Sequence, residues 1–505
     1  MLYRNPIIPG FNPDPSICRK GDDFYLVTST FEFFPGVPVY HSKNLVNWEH
    51  IGYCLDRDSQ LPLQGCWPSA GIYAPTIRYH EGMFYMTTTN VSGGGNFIVH
   101  TEDPAKGWSE PAWVHGQGGI DPSLFFDDDG KVYFTSTGED ENGSGIRICE
   151  LNPMTGELLS DSILLSHGTG GKCPEAPHIY KINGYYYLMM AEGGTEYGHM
   201  ETIFRAKNPY GPYESCPHNP IITQRNTCGT PIQATGHADI IEDGNGNWWM
   251  VCLGIRPIGA QLHNLGRETF LVPVIWENGW PVVVNNEPLG LEIDAPLPYP
   301  ETVRPVCLDL EENFDGSSWN VAFNFLRNPQ RENYRLDTQN HCLHLQGTEK
   351  RLSDSSTNPT FMGVRQQDHN TCVTSVLTGE LAEGGAAGLS AYYTHCYHYD
   401  ICLQKKDGVY QVAVRRRLHD LDLVTACTPI AYNGKIELKI QAAKDFYQFS
   451  YRLDDGEFIP LDSAMTAGLC TEGLYFNTFT GTYIGMFAEN TEAVFDSFHT
   501  TQPVR

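Results

Sequence analysis

The chain has 505 residues, 41% of them hydrophobic and 12% aromatic, with 33 basic against 60 acidic residues and a formal net charge of -27. That balance excludes the clustered Lys and Arg by which proteins hold nucleic acid or an anionic membrane surface, and it fits a soluble protein handling a neutral ligand. Fifteen cysteines, odd in number and without CxxC pairs, read as free thiols of a reducing compartment rather than a disulfide framework, and the length calls for two domains.

The first residues, MLYRNPIIPG, show neither a basic n-region nor a sustained apolar h-region, and no apolar run nears the roughly 20 residues that span a bilayer. The expected location is the cytoplasm. A hairpin phrase then begins at Asp14-Pro15 and runs DPSICRKGDDFYLVTST: an acid, a proline, an apolar run, a Gly-containing turn and a second run carrying Tyr. The phrase returns at Ala74-Pro75, Asp121-Pro122, Ala176-Pro177 and, more loosely, His237-Ala238. Copies roughly 45 to 60 residues apart are what propeller blades of four short strands produce. The reading is all-β: a five-bladed β-propeller over residues 1–300. Proline density jumps at 294–305, which reads as a linker. Alternating segments such as 387–393, 399–403, 409–414, 436–440 and 447–453 then predict a two-sheet β-sandwich over 301–505.

In a propeller the early strand of every blade lies nearest the axis, so the residues opening each phrase converge on one cavity. There stand Asp14, Tyr73, Asp121, Glu175 and His237. Pro and the hairpin persist in the copies while the opening Asp is kept only at Asp14 and Asp121, so the acids are not what the blade needs to fold. Three carboxylates around one cavity suit glycosidic bond cleavage, in which a protonated acid serves the leaving oxygen while an ionised one acts on water or on the anomeric carbon. Glu175, between Pro174 and Ala176-Pro177, has the apolar setting that raises a pKa and reads as the acid; Asp14 reads as the base. Asp127, Asp128 and Asp129, and Asp22 with Asp23, read as solvated turn residues. Arg267 reads equally as a surface ion pair, and Phe31, Tyr73 and Phe479 equally as core aromatics.

Together the motifs NPDPS (12–16), GIYAP (71–75), GIDPS (119–123), PEAPH (174–178), AEGGT (191–195), GHA (236–238) and LGRET (265–269) resemble glycoside hydrolase family 43. The resemblance continues through NFDG (313–316), FLRNP (325–329) and FTGTYIGM (479–486). It implies a propeller joined to a concanavalin-like sandwich, and an inverting, exo-acting hydrolase of arabinose- and xylose-containing saccharides. By the same resemblance Asp14 is the general base and Glu175 the general acid. Asp121 orients Glu175 and raises its pKa by like-charge repulsion. Arg267 contacts Asp14 and the sugar, Phe31, Tyr73 and Thr195 shape a single-sugar pocket, and Phe479 walls one side from the second domain. His237 faces a hydrated cation, usually calcium, on the axis. Tyr73 departs from the Trp common in relatives. The stretch Thr88–Phe97 looks more like the arabinofuranosidase branch, so terminal α-L-arabinofuranose is the expected product. A β-D-xylosidase, an enzyme of both activities and a non-catalytic carbohydrate-binding propeller stay open, as does a homo-oligomer.

Overall fold

The computed structural model describes residues 1–259, 261–283, 288–454, 456–474, 476 and 478–503. Five antiparallel four-stranded sheets succeed one another along the first part of the chain, one of them carrying an extra edge strand. Their innermost strands are Ser16–Lys20, Thr76–His80, Ser123–Phe126, Glu175–Ile182 and Gln233–Glu242. These are the five repeated phrases. The N-terminal segment then ties onto the last blade: Ile8 bridges Thr269, and the Asn5 side chain bonds both polar groups of the Leu271 backbone.

Blades adhere through apolar side chains from adjacent sheets. Trp249 and Val251 of blade five meet Phe24 and Leu26 of blade one in a single buried cluster. Near the axis a polar layer replaces this oil, one residue per blade. Arg78 donates to Asp239 at 2.7 Å and lies 2.9 Å from His178 Nδ1; Ser16 Oγ donates to Asp239 at 2.7 Å, and Ser123 Oγ lies 3.0 Å from His178 Nδ1. Tyr180 adds a bond to Asp239 at 2.6 Å. A guanidinium and a carboxylate buried together are tolerable because each has its remaining hydrogen bonds supplied.

The turn acids of blade three are not uniformly solvated. Asp127 is 5% exposed and accepts from Lys181 Nζ and Tyr186 Oη, both at 2.6 Å, so it staples blade three to blade four. Asp23 likewise pairs with His41 at 2.6 Å and Lys43 at 2.8 Å. Only Asp22, Asp128 and Asp129 of that group are exposed. Local composition predicts turns correctly here but cannot see the partners that fold against them, from the next blade at Asp127 and from the same blade at Asp23.

After Glu292–Asp294 and a short 3-10 turn, the first sandwich strand is Leu310–Glu312. Six strands from Phe361–Arg365 to Leu421–Pro429 form one sheet; the other is built around Glu492–Thr501 and Cys372–Thr378. The sandwich is fastened to the propeller by more than surface contact. Phe33–Phe34 pairs as a strand with Phe325–Leu326, and Phe34, Leu55 and Leu61 share one buried cluster with Phe325, Met362 and Ile484. All fifteen cysteines are free, and among the described residues no helix is long and apolar enough to cross a membrane. Because core residues of both parts interlock, a chain ending at residue 305 should lose most of its soluble yield and bind a hydrophobic dye. Soluble fraction and near-ultraviolet circular dichroism measure this; a soluble, cooperatively melting fragment would contradict it.

Candidate active site

The entry to the inner strands has a recurring backbone feature. Asp14, Asp121, Ala176 and His237 all take left-handed φ values, 56°, 55°, 51° and 50°. Non-Gly residues seldom adopt this conformation, and Asp is among the types that tolerate it best. Each kink turns the chain inward as it enters the blade. In blades one, three and five the kinked residue carries the functional side chain. In blade four the kink falls on Ala176 and the carboxylate belongs to Glu175, beside a register irregularity between Glu175 and His178.

The kinks bring the expected residues to one cavity of about 470 Å³, whose walls include Asp14, Phe31, Tyr73, Asp121, Glu175, Thr195, His237, Arg267 and Phe479. Asp14, 3% exposed, receives Arg267 Nη1 at 2.8 Å and Ser29 Oγ at 2.5 Å, with His237 Nδ1 at 3.6 Å. Burial pushes the Asp14 carboxyl up, but Arg267, His237 and the Ser29 hydrogen bond outweigh it and hold the group below its ordinary range. Glu175 moves the other way. Burial first, then the charge on Asp14, raises it to about 7. Asp121 is driven well up by burial, then by Glu175 and Asp14. It accepts from the Ala176 backbone N–H at 3.3 Å and so holds the kink that aims Glu175. Burial acts on Glu175 as its apolar sequence setting implied, Asp14 adds to it, and the like-charge repulsion between Asp121 and Glu175 that the resemblance implied is felt at Asp121.

Arg267 is no surface residue. Besides Asp14, its guanidinium donates to Thr195 Oγ1 at 3.0 Å and to the Phe479 carbonyl at 3.3 Å, with its carbon 5.6 Å from the ring centres of both Phe31 and Phe479. Phe31 stacks on Phe479 at 5.6 Å, and Tyr73 meets them at 5.2 and 5.9 Å, making one aromatic wall from two domains. The sandwich chain reaches that far in because Gly481 lies against Gly266. A Cβ on Gly481 would stand 2.2 Å from the Leu265 carbonyl oxygen, and one on Gly266 would stand 2.9 Å from Gly481 Cα.

Two contributors carried no sequence signal. Ser29 lies in a strand-end run of small polar residues, and His199 lies outside the repeated phrase. His199 is fully buried with Nδ1 3.1 Å from the Ala234 carbonyl, which fixes Nδ1–H as the donor. Its Nε2 therefore presents a lone pair, 3.9 Å from Glu175 Oε1 and without a hydrogen-bond partner among the described residues. His237, the expected calcium ligand, offers a single imidazole nitrogen. A hard cation asks for six to eight oxygens, and among the described residues the one gathering of three ligand atoms, Asp337, Cys342 and His344, lies in the sandwich. Water would have to supply nearly the whole shell at His237.

A propeller that lowers one carboxyl and raises another across a single pocket has the paired-acid arrangement of a glycoside hydrolase. The profile described as Glycosyl hydrolases family 43 matches residues 3–281, and that of the Beta xylosidase C-terminal Concanavalin A-like domain matches residues 311–501. The chain belongs to glycoside hydrolase family 43. It is 42% identical over 96% of its length to the Non-reducing end alpha-L-arabinofuranosidase BoGH43B of Bacteroides ovatus, covering 91% of that protein. It is 38% identical over 99% of its length to a Xylosidase/arabinosidase of Butyrivibrio fibrisolvens, covering 98% of that protein. Among solved structures, Bacteroides ovatus Xyloglucan PUL GH43B superposes at a TM-score of 0.93, with 39% identity and 100% of both chains covered. BlXynB of Bacillus licheniformis superposes at 0.92, with 32% identity and 99% and 100% covered.

Two outcomes follow from this geometry. Truncating Phe479 removes an apolar wall about the size of a sugar face, so Phe479→Ala should lower kcat/KM by roughly five- to hundredfold, measured on an aryl pentoside. With Glu175 as acid and Asp14 as base, the roles that the resemblance implies, kcat/KM should fall as pH rises through about 7 and fall again where Asp14 takes up its proton, below the usual Asp range. Glu175→Gln should erase the alkaline limb of that profile.

Proposed function

We propose that the enzyme releases terminal α-L-arabinofuranose from arabinoxylan- or arabinan-type saccharides, with inversion at the anomeric carbon. The reading rests on one observation above all: Arg267 donates to the buried Asp14 at 2.8 Å and its charge lowers that carboxyl, while Glu175, in the same cavity, is raised to about 7. The terminal sugar sits in the cavity beside the carboxyls, gripped by Arg267 and by the wall of Phe31, Tyr73 and Phe479. Asp14 draws a proton from a water that attacks the anomeric carbon on the face opposite the leaving oxygen. Glu175 gives its proton to that oxygen as the bond breaks, which is why its raised pKa matters. Asp121, bonded to the Ala176 N–H, keeps Glu175 aimed.

The choice of arabinose rests on the likeness to the Bacteroides ovatus protein named for that activity. A second reading, release of β-D-xylose by the same pocket, is favoured by the relatives named Xylosidase/arabinosidase and Beta-xylosidase. Turnover of 4-nitrophenyl α-L-arabinofuranoside against 4-nitrophenyl β-D-xylopyranoside decides between them, and proton NMR of the first-formed sugar reads the configuration. A retained anomer would overturn the inverting assignment. The calcium expected from the resemblance is proposed only as a hydrated ion with His237 as its single protein ligand; no step above passes through it, and calcium titration of the intact chain against His237→Ala tests it.

Replacing the acid should be felt in proportion to how much help the leaving group needs. Glu175→Ala should cost on the order of 10²-fold or more on an oligosaccharide and far less on an activated aryl glycoside, whereas Asp14→Ala should cripple both. Initial rates on the paired substrates measure the contrast; equal losses for Glu175→Ala would remove it from the acid role.

A further inference from the structure

The cavity mouth continues outward as a row of rings from both domains. Phe476, on the cavity wall, stacks with His395 at 5.9 Å, and His395 meets Trp67 edge-on at 5.8 Å. Trp67 is 53% exposed, yet the loop beneath it is tightly fixed. The buried Arg327 donates from Nε to the Cys66 carbonyl at 2.6 Å, and the Ser69 N–H donates to the buried Glu32 at 2.9 Å. The Ser69 hydroxyl accepts from the backbone N–H of Phe479 at 3.0 Å, so the loop carrying Trp67 is bonded directly to the pocket wall.

An indole displayed to solvent on a loop this constrained costs stability and serves no core. We propose that Trp67, with His395 and Phe476, is a binding platform for the neutral saccharide chain from which the terminal sugar is cut; this rests on the function proposed above. Three features select that occupant. The rings run from Phe476 on the cavity wall to the exposed Trp67, so a chain whose terminal sugar fills the cavity passes along them. Aromatic faces pair with the C–H faces of sugar rings, and a Trp combines a large apolar surface with a polar edge. The Lys and Arg side chains on the cavity wall already have acidic partners, Lys172 with Glu196 at 2.5 Å and Arg267 with Asp14 at 2.8 Å, and so do not favour an acidic chain. Burial, with Arg327 beside it, pushes His395 down to about 4 and keeps it uncharged as well.

The test compares substrates with and without a saccharide leaving group on the full chain. Trp67→Ala should raise KM for an arabinose-substituted xylotriose by about three- to tenfold while leaving KM for the 4-nitrophenyl pentosides within about twofold, and Trp67→Phe should recover most of the difference. Binding of xylotriose, followed by tryptophan fluorescence, should weaken in parallel. An unchanged KM for the saccharide, or equal changes on both substrate types, would overturn the platform while leaving the functional reading intact. A concentration-dependent dimer of the parent chain abolished by Trp67→Ala would instead assign the exposed ring to a second copy and likewise overturn it. A parent chain that turns over neither nitrophenyl pentoside would overturn the functional reading and, with it, this ligand class.

Discussion

The buried pair of Arg267 and Asp14 is the constraint from which the rest of the site follows. One guanidinium from blade five fixes the base of blade one, the Thr195 hydroxyl at the edge of blade four and a carbonyl of the sandwich. Taking one partner of such a pair away leaves a charge stranded in the interior, at about 3 to 5 kcal/mol. The pair also sets the proton inventory. Because Arg267 favours the negative form of Asp14, Asp14 in turn discourages a second negative charge on Glu175, and the one carboxyl is raised in part because the other is lowered.

Holding three carboxyls close together requires a backbone willing to aim them. The left-handed residues at the blade entries supply that aim, and they are costly enough that only a well-packed surround keeps them. Here the surround is polar and shared: the Ala176 amide is satisfied by Asp121, and the next layer along the axis is knit by one side chain from each blade. Function and fold therefore meet at the same residues. A blade can vary the side chain on its kink, as Ala176 does, provided the kink itself survives.

Much of this was readable in the chain because propeller blades repeat, and repetition separates what folding needs from what chemistry needs. Asp14 and Asp121 stood out as acids the hairpin could do without, and Glu175 as an acid in apolar company. What escaped was set by contacts with residues outside the repeated phrase or on the next blade. Asp127 has the sequence of a solvated turn but the surroundings of a buried ion pair, because Lys181 and Tyr186 arrive from the next blade. His199 falls outside the repeated phrase, so no pattern marked it, and only the folded chain brings its free nitrogen to Glu175. The roles of Phe31, Tyr73 and Phe479 were balanced between core and pocket. They proved to be both, since each packs in an aromatic cluster while presenting an edge to the cavity.

The polar layer one step along the axis from the carboxylates also bears on how the ring closes. Ser16, Arg78, Ser123, His178 and Asp239 come from all five blades and form one hydrogen-bonded network. Each of its side chains lies a few residues beyond the opening of a repeated phrase, on the inner strand of that phrase. The blades are therefore joined around the axis by polar bonds as well as by their apolar faces. A substitution in this network acts on the seams of the ring and on the placement of the carboxyls at once.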